Sequence, residues 1–219
     1  MSAGPAAQVA FDRAVADVTG LDPGDHGVHM SGKTDPQIAL EILAALAIEG
    51  EEAQRDLPEI LRHLEKEVEA AITQMRRDGR IHPGAMAVVR RLHGAPDVVQ
   101  TLLTGNLEAN AFVKVSLFGL EPFFDFEVGA YGSDDPDRDR LIPVAMDKLR
   151  RVRDQTVAPG DVWVVGDTPR DLDCARAGGA RCLLVGTGRY GFDALKDLTA
   201  DAVLPDLSDT EAVVGILLS

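Results

Sequence analysis

The chain has 219 residues, 45% of them hydrophobic, which suits one large domain or a core carrying an insert. Its net charge of −14, from 22 basic and 36 acidic residues, argues against nonspecific binding to nucleic acid or to anionic membranes, but leaves room for a small anionic substrate. No run approaches the roughly 18 apolar residues of a membrane span, Met1–Ala7 lacks the pattern of a signal peptide, and two cysteines, Cys174 and Cys182, fit buried thiols in a reduced, cytoplasmic protein.

Residues 1–6 read as a lead-in. Phe11, Val15 and Val18 then fall at helical spacing, and Gly20 closes that helix. A loop containing Pro23, Gly24 and Gly27 runs to Gly32. Asp35 is expected to cap a helix with Pro36 at its first position and Ile38, Ile42, Leu43 and Leu46 on one face. A short acidic segment after Gly50 leads to Pro58. A long helix follows, with Ile60, Leu61, Leu64, Val68, Ile72 and Met75 three and four apart, and Gly79 stops it. Residues 7–80 thus read as an all-helical module.

The pattern changes at Pro83-Gly84. Strand-like runs at Val98–Leu103, Phe126–Ala130, Val162–Val165, Cys182–Val185 and Ala202–Leu204 alternate with helical patterns at 85–92, 107–118, 140–152, 170–178, 191–198 and 209–218. That alternation predicts an α/β fold over 81–219, a doubly wound parallel sheet of Rossmann-like kind. In such sheets, ligands sit beyond the carboxyl ends of the strands.

Two of those ends carry chemistry. Val162–Val165 ends in Gly166, followed by Asp167 and Asp171, two acids that can point into one site. They suit a hard cation such as Mg²⁺, which takes oxygen ligands and is shared with substrate phosphate. They equally suit helix capping and a solvated first turn. Thr104-Gly105-Asn106 ends the first strand. Its hydroxyl, flexible backbone and amide form a donor set for a phosphoryl oxygen, or an ordinary turn. In the acidic stretch Gly132–Arg140, Arg138 is a candidate cation at a helix start, with Arg140 competing.

Other features read as structural. Gly186–Gly191 matches a dinucleotide-binding pattern but has no second nucleotide-binding half after it. Val9–Asp12 resembles a strand ending in a nucleophile, yet its spacing is helical. The five histidines show no metal-ligand spacing, and Trp163 reads as core.

In chain order stand an apolar strand ending Thr104-Gly105-Asn106, Arg138 at a helix start, and Gly166-Asp167-Thr168-Pro169-Arg170-Asp171. This set resembles the haloacid dehalogenase superfamily of hydrolases, in the subgroup similar to phosphoglycolate phosphatases. The resemblance implies that residues 7–80 are a cap domain and that Pro83-Gly84 marks the return to the core. It also implies hydrolysis of a small phosphorylated metabolite in two steps through an aspartyl-phosphate. By similarity, Thr104, Gly105 and Asn106 hold the phosphoryl group, Arg138 replaces the family's usual Lys, and Asp167 and Asp171 hold Mg²⁺ directly or through its waters.

One motif is missing. The family's nucleophile and acid/base pair lie in Asp-x-Asp-x-Thr at the end of the first strand, and nothing here matches it. A central strand of about six residues carries of order 10 kcal/mol of apolar burial, comparable with a whole domain's stability of about 5–15 kcal/mol. The expectation is therefore a start upstream of residue 1, with about 10–20 further residues supplying that strand. The chain as it stands is expected to be inactive. The alternatives are a non-catalytic remnant that binds a partner or ligand, and a phosphosugar mutase. Specificity is expected in the cap, first in His29–Asp35 with its Lys33.

Overall fold

The computed structural model describes residues 6–219. The helical spacing of the first part is realised in four helices. α1 (Ala6–Thr19) buries Phe11 and Val15, and α2 (Asp35–Ala45) buries Ile38, Ile42 and Leu43. α3 (Gly50–Ala70) adds Ile60, Leu64 and Val68, and α4 (Ile72–Asp78) adds Met75. These side chains form one apolar cluster, which also takes in Leu107 from later in the chain. At about 1.5–3 kcal/mol for each large side chain fully buried, the cluster outweighs the weak local preferences of its helices.

Two local expectations are corrected. The N-cap of α2 is Thr34, not Asp35; its hydroxyl accepts from the Gln37 N–H at 3.2 Å. Asp35 lies inside the first turn and is only 3% exposed. The acidic segment before Pro58 is not a lead-in but the first part of α3, with Pro58 inside the helix. A proline there removes one helical hydrogen bond, at about 3 kcal/mol. Burial of Ala53 ahead of it and Ile60 after it holds both sides of the break in the cluster.

At the change of pattern, Gly84 adopts φ 78°, and a Cβ on it would lie 1.8 Å from the Leu207 carbonyl oxygen. Glycine is required there on both counts. The turn brings α5 (Ala85–His93) against α10 (Thr210–Leu217), where Val88, Leu92, Val213 and Val214 share a cluster.

β1 (Trp163–Gly166), β2 (Arg181–Val185) and β3 (Ala202–Leu204) form a parallel sheet in the order β1-β2-β3. The register pairs Val164 with Cys182 and Leu184 with Val203. Alternate residues of a strand face opposite sides. Leu183 and Val185 accordingly join the cluster under α5 and α10. Cys182 and Leu184 join Ile142 of α7 (Leu141–Arg153) and Leu172 of α8 (Pro169–Ala177) on the other face. Helices thus cover both faces of the sheet. α6 (Glu108–Ser116) and the short α9 (Phe192–Leu195) complete the set.

The strands predicted at Val98–Leu103 and Phe126–Ala130 are not ladder strands. They meet in a single parallel bridge, Leu103 to Ala130, and 126–128 forms one 3₁₀ turn. Among the described residues, 98–104 pair only with 125–130, through Asp125 N–H to Gln100 O, Ala130 N–H to Leu102 O and Thr104 N–H to Ala130 O. Among the described residues β1 pairs with β2 alone, and Val165 is 45% exposed. Yet Leu103 packs on the cluster that contains Val164. The two segments thus share a cluster, but among the described residues no backbone hydrogen bond joins them.

Candidate active site

Thr104 is fixed where the 98–103 segment ends, by the bond from its N–H to Ala130 O at 3.0 Å. The next residue lies under very close contact. A Cβ on Gly105 would fall 2.1 Å from Lys33 O, and one on Gly132 would fall 2.1 Å from Gly105 O. Three backbones, at 32–35, 104–106 and 131–132, therefore stack at a distance that only glycine permits. Asp35 N–H donates to Gly105 O at 2.6 Å, and Gly132 N–H to Asn106 O at 2.8 Å. Gly105 N–H donates to none of the described residues. The Thr104 hydroxyl accepts from the Asn106 backbone N–H at 3.2 Å and from its side-chain amide at 2.7 Å.

Arg138 opens a 3₁₀ turn, Arg138–Arg140, whose N-cap is Asp137. Its guanidinium lies 2.5 Å from Asp171 Oδ1, with the two side chains 12% and 8% exposed. Arg140 is 72% exposed and faces Asp135 and Asp137. The structure therefore brings Arg138, not Arg140, to the acid pair.

Asp171 is held from every side. Beyond Arg138, its Oδ2 accepts the Thr168 N–H at 2.9 Å, the Thr168 hydroxyl at 2.8 Å and the Asp167 N–H at 3.1 Å. This is a capping box at the start of α8. Asp167 differs. Its carboxylate has no ion-pair partner among the described residues, and burial, then the neighbouring Asp171, raise its pKa. A Cβ on Gly188 would lie 1.8 Å from Asp167 Oδ2. Gly188, in the glycine-rich stretch 186–191 read from sequence as structural, thus lies hard against this carboxylate.

The loop ahead of α2 ties these strand ends together. A Cβ on Gly32 would lie 2.8 Å from the Arg170 side chain and 3.0 Å from the Thr168 hydroxyl, while Lys33 and Thr34 touch Gly105. Successive Cα atoms are about 3.8 Å apart, so Gly105 and Thr168 are on the order of 10 Å from each other. Thr34 also donates to Pro136 O at 2.7 Å, beside Arg138. Thr104, Gly105, Asn106, Arg138, Asp167 and Asp171 therefore gather around one short loop. Lys33, in the stretch singled out for specificity, is paired with Glu41.

Sequence reasoning passed over a buried charge pair that crosses this junction. Asp35 Oδ2 accepts the Leu107 N–H at 2.8 Å and the Asn110 amide at 3.3 Å. Lys114, half-buried on α6, donates to Asn106 Oδ1. Burial raises the Asp35 pKa, opposed by Lys114, and burial lowers that of Lys114, opposed by Asp35. The one available signal was a lysine between Ala111 and Val115, on the buried side of its helix.

A raised carboxylate pKa means that the folded state holds the proton more tightly than the unfolded chain. Ionised Asp35 thus costs stability above that pKa, and the cost vanishes below about pH 4, where both states are protonated. Asp35→Asn keeps an oxygen for both donors. Relative to wild type, this variant is expected to gain stability as pH rises from about 4 to 7. Urea melts at the two pH values check this; equal differences at both would contradict it.

Asp167 offers the anionic oxygen that Mg²⁺ prefers, and one or two carboxylates suffice where phosphate and water supply the rest. The Asp171 oxygens are already engaged. Among the described residues, no three His, Cys, Asp or Glu side chains converge. The donor set therefore fits Mg²⁺ at one protein ligand, Asp167.

A parallel sheet covered on both faces, with polar residues gathered at its carboxyl strand ends, defines a doubly wound α/β protein. Residues 140–210 match the family model described as HAD-hydrolase-like. No curated protein matches. Among solved structures, the chain is similar to a family IA, variant 3 haloacid dehalogenase hydrolase from Entamoeba histolytica, at TM-score 0.62 and 15% identity over 98% of this chain and 93% of that one. It is similar to β-phosphoglucomutase from Clostridium difficile at TM-score 0.63 and 14% identity, over 99% and 92%. It is also similar to CbbY from Rhodobacter sphaeroides in complex with phosphate, at TM-score 0.58 and 19% identity, over 93% and 88%. In fold, the chain is similar to these haloacid dehalogenase-like proteins.

Proposed function

We propose that this chain is the cap and most of the core of a Mg²⁺-dependent phosphate-monoester hydrolase, of the kind that resembles phosphoglycolate phosphatase. The observation that carries this reading is the gathering around residues 32–34 of a hydroxyl, a buried cation, and a backbone amide and a carboxylate that have no partner among the described residues. That set suits a dianionic phosphoryl group. Thr104 and the Gly105 N–H hold phosphoryl oxygens, with Asn106 orienting Thr104. Arg138 supplies a fixed positive charge and keeps Asp171 in place. Asp167 would hold Mg²⁺, whose contribution when bound is neutralisation of phosphoryl charge.

The attacking carboxylate would lie on an Asp-x-Asp strand upstream of residue 1, beside β1. There, a carboxylate oxygen would form a bond to phosphorus as the ester P–O bond breaks, the alcohol leaving with a proton from the second aspartate of that strand, which takes a proton back from the water of the next step. Water then attacks the acyl phosphate, releasing phosphate and restoring the carboxylate. Residues 7–80 act as the cap, with 29–35 over the site, and the substrate is a small phosphorylated metabolite of the cytoplasm. No helix among the described residues is long and apolar enough to cross a membrane.

The test is an assay with an aryl phosphate and Mg²⁺. Residues 1–219 alone are expected to release no phosphate, and a chain extended in frame by its upstream apolar Asp-x-Asp strand is expected to turn over. Turnover by residues 1–219 would show that the nucleophile is misplaced. Binding of phosphate without turnover by either chain would favour a non-hydrolytic binding protein. Transfer of the phosphoryl group within a sugar phosphate would mark a mutase.

A further inference from the structure

The chain of contacts behind Thr104 assigns a task to a residue outside all the motifs. Lys114 donates to Asn106 Oδ1. An ammonium can only donate, so it fixes which end of the Asn106 amide faces it. The NH₂ end is thereby turned to Thr104 Oγ, where it donates at 2.7 Å. The same oxygen accepts the Asn106 backbone N–H at 3.2 Å. A hydroxyl oxygen that accepts two hydrogen bonds has its own proton left to give. We propose that Lys114 is a positioning residue: by locking the Asn106 amide, it makes the Thr104 hydroxyl an outward donor for a phosphoryl oxygen.

The surroundings support this use of a lysine. Its neighbours on the buried side of α6, Ala111 and Val115, are apolar. The negative charge opposing it is Asp35, at the start of α2, and the Asp35 N–H is bonded to Gly105 O. The part of the chain that crosses the strand ends thus also balances the charge that orients Thr104. Without Lys114, the Asn106 amide is free to turn over, presenting an oxygen to Thr104 and drawing the hydroxyl proton inward.

The inference rests on the phosphate-site reading, and the experiment separates the two. Binding of inorganic phosphate to the full chain in the presence of Mg²⁺ is followed by calorimetry. Wild type is expected to bind. Lys114→Met is expected to weaken binding by about tenfold or more, the loss of one hydrogen bond to a charged group. Lys114→Arg, which still donates and still excludes the flipped amide, is expected to stay within about threefold of wild type, a change below one ordinary hydrogen bond. In a Thr104→Val background, Lys114→Met is expected to have almost no further effect, which a merely structural lysine would not produce.

If Lys114→Met fails to fold, Asn106→Asp carries the test. It keeps an oxygen for Lys114 but removes the NH₂ donor, and is expected to weaken phosphate by at least the same factor. Wild-type binding with an unchanged Lys114→Met or Asn106→Asp, or full additivity with Thr104→Val, overturns the role of Lys114 alone. No phosphate binding by wild type overturns the site reading, and this inference with it.

Discussion

Asp171→Ala is expected to destabilise the protein by about 3–5 kcal/mol, the cost of leaving one member of a buried ion pair uncompensated. The effect comes from the number of groups that converge on this one carboxylate. Oδ1 faces the Arg138 guanidinium at 2.5 Å, and both side chains are nearly shielded from water. Arg138 has little else to turn to, since its Nε is buried without a partner. Oδ2 closes the start of α8 by accepting three donors. Loss of a cap alone costs about 1 kcal/mol, so the stranded cation is the larger part. Arg138→Met is expected to cost less, about 1–2 kcal/mol, because Asp171 keeps its cap donors. The double variant is expected to fall short of the sum by about 0.5–3 kcal/mol, as for groups in direct contact. Urea unfolding of the four proteins measures the cycle. A loss below about 1 kcal/mol for Asp171→Ala would mean that the pair behaves as an exposed one.

Much of this architecture follows from periodicity. α1, α2, α5 and α7 were legible because apolar residues recur along one face of each. β2 was legible because a short apolar run stood between glycine-rich turns. The failures share a physical cause: each depends on a partner far along the chain. Residues 98–103 have strand composition, but a strand needs neighbours, and among the described residues their backbone is bonded only at Asp125 and Ala130. Pro58 reads locally as a helix start, yet burial on both sides carries the helix through it. Thr34 rather than Asp35 caps α2 because Asp35 is drawn inward by Leu107 and Asn110 of the core.

The candidate site divides in the same way. Thr104, Arg138 and the Asp167–Asp171 pair stand out in sequence because they punctuate apolar runs. Nothing local distinguishes Arg138 from Arg140; the choice is made by Asp171, reached only through the fold. Nor does sequence show that Asp171 accepts four donors while Asp167 has no ion-pair partner among the described residues. The role of Gly188 was hidden inside a stretch that resembles a nucleotide-binding loop, because the need for glycine comes from a carboxylate on another strand end.

That asymmetry between the two acids gives the second large expectation. Asp167→Asn is expected to abolish Mg²⁺-dependent binding of phosphate, whereas Asp173→Asn, on the exposed side of α8, should leave it intact. Burial and the Asp171 charge both disfavour a bare carboxylate at Asp167, and Arg138 is committed to Asp171. A divalent cation would relieve both penalties, and a hard ion such as Mg²⁺ prefers an anionic oxygen. The asparagine amide fits the same space beside Gly188 but carries no charge. Loss of a supporting partner behind a metal ligand costs about 10–100-fold in affinity. Loss of the carboxylate that would itself hold the ion should exceed that. Calorimetry of phosphate binding with and without Mg²⁺ reads the effect, and a melting curve close to wild type confirms that the fold is kept. If Asp167→Asn retained the metal dependence, the ion would have to sit on Asp171 instead. Arg138 would then have to release Asp171, and the arrangement proposed for phosphate would change with it.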